Sequence, residues 1–451
     1  MCVDFTATHV YILYEGYGYS PASLYALGFF SGAVFSPFTG AFIDRIGRKK
    51  AALIYCFLEI VINSIEQIPV FNGLIVGRVL GGLTTNIFCS VFESYLITEV
   101  RNRGFSEDQL EHVLCDSTII GNSSSILSGL MAHSLAIHYG AVGPFQGAVA
   151  ITAIALILIA FNWTENYGTL DDAEAQKTNT IWEYVKSACK TIKNNPSIAR
   201  IGVIQGLVEG TLETFLFLWS PALTMFAMSA PIGTTGLDEN GDPAYGLIFG
   251  LFMLFAVTGS ILAPLARKGL TSLSTSKEPV ISKQTDDDRI DPLPVNILCS
   301  LFYFASALLF LTPCVTKKDS PLGFSICLFS FVMFEFMVGA YEPLEGIVRS
   351  IYIPSGQVCS IVNVLRVLTN LFIAIGVYST THVSLTISFG FLSAMMAFAA
   401  VLQFTLIPRS ELSQLVTKLR CTGYSFSHFT QFAIVVFAIL LVSSDILGVL
   451  A

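Results

Sequence analysis

Three sets of polar residues stand at helical spacing inside long apolar stretches, and they outline a chemistry of binding rather than of bond cleavage. Asn363, Arg366 and Asn370 recur three and four residues apart in one run. Gln205, Glu209 and Glu213 recur every four residues in a second, and Asn86, Ser90 and Glu93 stand four and three apart in a third. In a helix these intervals place each set on one face. A guanidinium with neutral amide donors on either side suits a tetrahedral oxyanion, which it can grip with two hydrogen bonds. Arg366 is therefore the leading anion contact, with Asn363, Asn370 and Gln205 as polar companions in a substrate site. Glu209 and Glu335 have two readings: each pairs with an Arg in the unloaded state, or each carries a coupling proton. Glu93 and Arg78 join them as ion-pair or coupling candidates, and Glu345 and Arg349, four apart, read as a structural ion pair. The competing account of every stripe is a polar network that only holds helices together. It is the favoured account for a lone Ser or Asn, but not for Arg366.

Catalysis has little to rest on. His9, His112, His133, His138, His382 and His428 are dispersed, and no nucleophile elbow or phosphate loop is present. The 10 Cys residues lack a CxxC pair or a zinc-type spacing with His, and read as small apolar residues. No enzyme activity, metal or cofactor is expected.

The elements that carry these residues are transmembrane helices. The chain is 53% hydrophobic and 12% charged, whereas a soluble domain carries about 25% charge. Apolar runs of about 20 residues can each cross roughly 30 Å of hydrocarbon. They fall near 22–43, 51–70, 73–98, 116–139, 144–162, 200–226, 245–266, 294–315, 321–348, 358–379 and 384–407. A shorter run near 5–14 reads as the outer half of a further, first helix, which would make twelve. A charge at mid-membrane depth costs roughly 2.5–3.5 kcal/mol on insertion scales, so each one should face a cavity or a partner.

Orientation follows from the cations. Arg45, Arg48, Lys49 and Lys50 share one loop; Lys177, Lys186, Lys190, Lys193 and Arg200 share the central one. Arg267, Lys268, Lys277, Lys283 and Arg289 fall in a third, and Arg409, Lys418 and Arg420 follow the run ending near 407. Alternating spans put all of them on one side, expected to be cytoplasmic. The opposite side offers Lys317 and Lys318. The expected organisation is a bundle over 1–163, a cytoplasmic loop over 164–199, a second bundle over 200–410, and a tail over 411–451. Within the loop, WEYVKSACKTIKN reads as an amphipathic helix on the inner membrane face, and the polar insert near 268–292 as disordered. The tail's apolar run, Phe432 to Val449, reads as a thirteenth span or a membrane-surface segment. Two halves with matched loops are the pattern of a transporter built from repeats. Phe92-Glu93-Ser94-Tyr95-Leu96 and Tyr341-Glu342-Pro343-Leu344-Glu345 sit at similar depth in the two halves.

Gly40-x-x-x-Asp44-Arg45-x-Gly47-Arg48-Lys49 joins two runs through a tight basic turn. Gly40 permits close helix contact, Gly47 a turn that a side chain would oppose, and Asp44 can pair with a cation or cap another helix. This pattern resembles the signature loop of the major facilitator superfamily, where it helps to hold the outward-facing state. Gly77 and Gly81 also form a small-xxx-small packing face.

A closer resemblance runs over about residues 4–410. It is carried by Gly77-Arg78-Val79-Leu80-Gly81-Gly82-Leu83, Phe92-Glu93, Asn162-Trp163-x-Glu165-Asn166-Tyr167, Ile204-Gln205-x-x-x-Glu209 and Phe217-Leu218-Trp219-x-Pro221. Glu335-x-x-x-Gly339-x-Tyr341-x-Pro343 and Asn363-x-x-Arg366-Val367 complete it. Together these resemble the molybdate-anion transporter family. The resemblance implies an all-α membrane protein of two six-helix bundles that takes up molybdate by alternating access, with Arg366 in contact with the anion. The resemblance to the superfamily, where an Arg at this place on the fourth helix is often linked to proton coupling, gives Arg78 that role beside an equally weighted structural reading. Glu213 departs from the family's apolar pattern.

Two other functions compete. A proton-coupled transporter of another small solute, such as an exporter of organic compounds, would show a Gly-Pro signature where this chain has IIGNSSSILSGLMAH. A receptor or scaffold on the same fold would lose the mid-membrane charges, and they are retained. The net charge of −8 speaks against nucleic acid. The expected partners are molybdate, a coupling proton and the lipid bilayer, and the expected location is the plasma membrane.

Overall fold

The structure, a computed structural model, describes residues 10, 13–167, 181–231, 233–238, 241–274, 291–354, 357–380 and 382–407. The tail run, most of the 5–14 run and the middles of both polar loops lie outside the described residues, so those expectations are not addressed by it.

Among the described residues the architecture is all helix, apart from one isolated bridge between Leu237 and Pro243. The first half comprises α1 (Pro21–Ile46), α2 (Arg48–Glu66), α3 (Phe71–Asn102), α4 (Glu107–Tyr139) and α5 (Gly143–Asn162). After it come α6 (Ile181–Asn194) and then α7 (Pro196–Ala227), α8 (Tyr245–Ser274), α9 (Pro292–Val315), α10 (Gly323–Tyr352), α11 (Val358–Ser379) and α12 (Leu385–Phe404). Nine apolar segments among the described residues are long enough to cross a bilayer, and one of them, Gln109–Asn162, folds as both α4 and α5. The helix α2 is more polar, with Arg48, Lys49, Lys50, Glu59 and Glu66 in 19 residues, yet packs between α3 and α5.

Two seams join the halves, α1 against α11 and α4 against α8. Small and polar residues four apart on α1 make the first seam. A Cβ at Gly32 would touch Asn370, Ser36 Oγ donates to the Asn363 carbonyl at 2.5 Å, and a Cβ at Gly40 would collide with the Cys359 carbonyl. At the next step Asp44 accepts from Ser360. The interior of the second half is aromatic: Phe215 lies 4.9 Å from Phe334 and 5.2 Å from Phe331, ring centre to ring centre.

The amphipathic stretch forms α6, as its pattern predicts, and α6 lies across the α1–α11 seam. Tyr184 and Val185 pack on Ala41, Trp182 stacks on Phe38 at 6.5 Å, and Ala188 joins Ile361 and Val362. This end of the bundle, where the cations gather, is called the basic end below.

The packing glycine on α3 differs from the sequence expectation. Gly81 faces open space and Gly77 has only a loose neighbour in Glu66. The close approach is made at Gly82, where a Cβ would strike Ser31 and the backbone of Gly28 and Gly32 on α1. A GG pair reads the same in sequence whichever member faces the partner, and the rotation of α3 decides it.

Candidate functional site

Arg366 lies on the α7-facing side of α11 and is 4% exposed. Its Nη1 donates to Glu209 Oε2 at 2.9 Å, and Gln205, one turn before Glu209, donates from Nε2 to Glu209 Oε1 at 2.7 Å. The predicted face of α7 thus meets the predicted arginine. The pairing is incomplete: Arg366 Nε and Gln205 Oε1 are buried with no hydrogen-bond partner among the described residues. Buried polar groups are normally satisfied, so the Arg366 Nε–H donor and the Gln205 Oε1 acceptor are capacity that water or a ligand could use. Glu209 keeps 27% of its side-chain surface accessible, so it is the more accessible partner of the pair. Glu213 and Cys89 are within electrostatic reach of Arg366.

The amide donors of the two asparagines are engaged elsewhere, while Asn370 Oδ1 is buried with no hydrogen-bond partner among the described residues. Asn363 Nδ2 donates to the Cys359 carbonyl at 3.0 Å, within α11 and beside α1. Asn370 Nδ2 donates to Asn86 Oδ1 at 3.1 Å, and Asn86 in turn donates to the Gly32 carbonyl at 2.7 Å. Both act at the seam. A face three and four residues wide includes residues that point left and right of its centre, and on α11 the flanks are taken by α1 and α3.

Glu93 on α3 meets Arg349 on α10 through two parallel bonds, Nε to Oε1 at 2.8 Å and Nη2 to Oε2 at 2.6 Å. The pair expected within α10, Arg349 with Glu345, is present but long at 3.5 Å, and Glu345 accepts a bond from Tyr303 at 2.5 Å. Glu335 is buried in α10 and feels the charge of Glu342; no ion pair joins it among the described residues. Arg78 has different partners. It pairs with Glu66, bonds Tyr14 through Nε at 2.5 Å, and lies over the Tyr14 and Tyr25 rings at 5.1 and 5.4 Å.

The basic turn is built as its glycines require. Gly47 has φ +97°, and a Cβ there would collide with the Glu165 carboxylate. Glu165 Oε1 instead accepts from Lys49 N at 3.0 Å, capping the start of α2, while Arg48 is fully buried and bonds Asn166 Oδ1 at 2.9 Å and Thr98. Two sequence motifs more than 100 residues apart, the turn and Asn162-Trp163-x-Glu165-Asn166, therefore form one unit. Arg45, by contrast, is exposed. Asp44 joins the halves at the basic end on one seam through Ser360, and a bidentate pair that sequence reading missed, Glu111 of α4 with Arg267 of α8, joins them on the other. Neither residue stands in a stripe or motif, so nothing local in the sequence flagged them.

Comparison with known proteins agrees with this architecture. A family model described as sugar transporters with 12 TM, MFS_5, matches residues 2–274. The molybdate-anion transporter of Xenopus tropicalis is 26% identical over 378 residues, covering 82% of this chain and 73% of that protein. That of Danio rerio is 23% identical over 390 residues, covering 82% and 74%. Among solved structures, the Escherichia coli fucose:proton symporter superposes with a TM-score of 0.63 at 11% identity, over 90% of this chain and 95% of that one. The human organic anion transporter MFSD10 gives 0.57 at 14% identity, over 87% and 88%. At such identities the solved structures speak for the fold alone.

Proposed function

The chain belongs to MFS_5, a major facilitator family of multi-pass membrane transporters, and on that premise we propose that it takes up molybdate by alternating access of its two halves. The observation that carries the substrate is Arg366: a buried guanidinium held by one carboxylate, with a donor left over. An entering oxyanion replaces Glu209 on Arg366 and also takes the idle Nε–H, so two bonds form where one is broken. Glu209 stays tethered to Gln205 and, once displaced, is the group placed to take up a coupling proton. The similarity to curated molybdate-anion transporters supports the choice of anion. The bonds at Asp44 and Glu111 close the basic, cytoplasmic end in the resting form, and their release opens the site inward across the plasma membrane.

The test is tracer uptake into proteoliposomes with molybdate, sulfate or no anion. Molybdate accumulates in wild type and not in Arg366→Ala, with both proteins inserted equally. Uptake unchanged by the substitution at limiting molybdate would remove Arg366 from the site; no uptake of either anion by wild type would reassign the substrate.

A further inference from the structure

A tetrahedral dianion such as molybdate brings two negative charges into a place where unpaired charge is heavily penalised, and one guanidinium neutralises half of it. The path therefore calls for a second cation. We infer that Arg349 is that cation, the inner anion-binding residue of the path, and that the dianion displaces Glu93 from it as it displaces Glu209 from Arg366. The inference rests on the molybdate reading above.

Four observations support it. First, the two arginines are presented alike. Arg366 is 4% exposed behind a Glu209 that is 27% exposed, and Arg349 is 15% exposed behind a Glu93 that is 30% exposed. In both, the carboxylate is the more accessible partner of the pair. Second, Glu93 and Arg349 belong to different halves, so replacing one by an anion also loosens the halves. Third, a cavity of about 20 Å³ adjoins Arg349, and Gln205, Tyr303, Glu345 and Gln403 share its wall. That is room for about one water molecule, and Gln205 meets it with an unpartnered buried oxygen. Fourth, the two sites are connected: Gln205 holds Glu209, and Glu209 is within electrostatic reach of both Arg349 and Arg366. A purely structural bridge would need no exposed carboxylate and no link to Arg366.

The charge of the ligand tests this. Equilibrium binding to the purified full chain in detergent is measured with molybdate, a dianion, and with perrhenate, a tetrahedral monoanion of similar shape. Arg349→Gln should weaken molybdate about tenfold or more and perrhenate less than about twofold, whereas Arg366→Gln should remove both. A merely structural Arg349 would move both anions together, and that result, or undiminished molybdate binding, overturns the proposal. Because Arg349→Gln strands Glu93 and leaves Glu345 without its cation, the neutral pair Glu93→Gln/Arg349→Gln is measured too and should show the same loss of dianion preference. Glu93→Gln alone removes the competitor and should tighten molybdate severalfold; unchanged or weaker binding counts against the idea. If wild type binds neither anion, the molybdate reading itself falls and takes this one with it. Binding abolished by Arg366→Gln but indifferent to Arg349→Gln overturns only the second cation.

Discussion

Asp44 Oδ2 accepts two hydrogen bonds from Ser360, from its backbone N–H at 2.7 Å and from its hydroxyl at 2.6 Å. The last turn of α1 thereby caps the first turn of α11, and a buried carboxylate meets the positive end of a helix dipole. The contact is the final step of a face on which Gly32, Ser36 and Gly40 precede it at intervals of four. Charge-assisted bonds of this kind contribute roughly 1.5–3 kcal/mol.

Asp44→Ala should therefore open the basic end. Cys359 is fully buried on this seam, with its sulfur 3.1 Å from Ser94 Oγ. In a variant whose sole cysteine is Cys359, Asp44→Ala should speed its labelling by a membrane-impermeant maleimide about tenfold or more in inside-out vesicles. Labelling at the parent rate would mean that the cap does not hold the seam.

The α3 glycines make a paired prediction. Gly82→Ala drives a methyl group into Ser31 and the α1 backbone, where nothing flexible can yield, and overpacking of this type costs about 1–3 kcal/mol. Gly81→Ala adds a methyl group to open space. In thermal melts of the purified protein only Gly82→Ala should lower the midpoint, by several degrees. Equal effects would place Gly81 in the packed face after all.

That example shows what sequence could and could not deliver. Most of the helices from 21 to 404 were legible because a span needs a long apolar run, α6 because its pattern is amphipathic, and the basic turn because Gly47 must adopt φ +97°. The meeting of Arg366 with Glu209 was within reach, since each stands out as a charge in an apolar helix. The partner of Arg349 was not. Sequence spacing favoured Glu345 four residues away, while the shorter bonds go to Glu93, 256 residues distant in the other half. Asn363 and Asn370 stand out by type and spacing, but that their amide donors go to the Cys359 carbonyl and to Asn86 depends on how α11 packs against α1 and α3.

The Glu111–Arg267 pair should behave as a buried charge pair does. Glu111 is fully buried and Arg267 nearly so, and removing one partner of such a pair costs about 3–5 kcal/mol, whereas replacing both can be close to neutral. Glu111→Gln and Arg267→Gln should each lower the melting midpoint sharply, and Glu111→Met with Arg267→Leu should recover most of the loss. Additive losses in the double variant would show that the two side chains act independently.

Glu209 separates anion binding from coupling. Glu209→Gln keeps the shape and the contact with Gln205 but no longer competes for Arg366, so molybdate affinity should rise severalfold. The same change removes the group proposed to take up the proton. In proteoliposomes, exchange of molybdate for molybdate should persist, while accumulation driven by an acid-outside gradient should disappear. Both fluxes are measured on one preparation, so misfolding would show as loss of exchange. Gradient-driven accumulation that survives Glu209→Gln would place the coupling proton on another carboxylate, with Glu342 the next to test, since it lies within electrostatic reach of both Glu209 and Arg349.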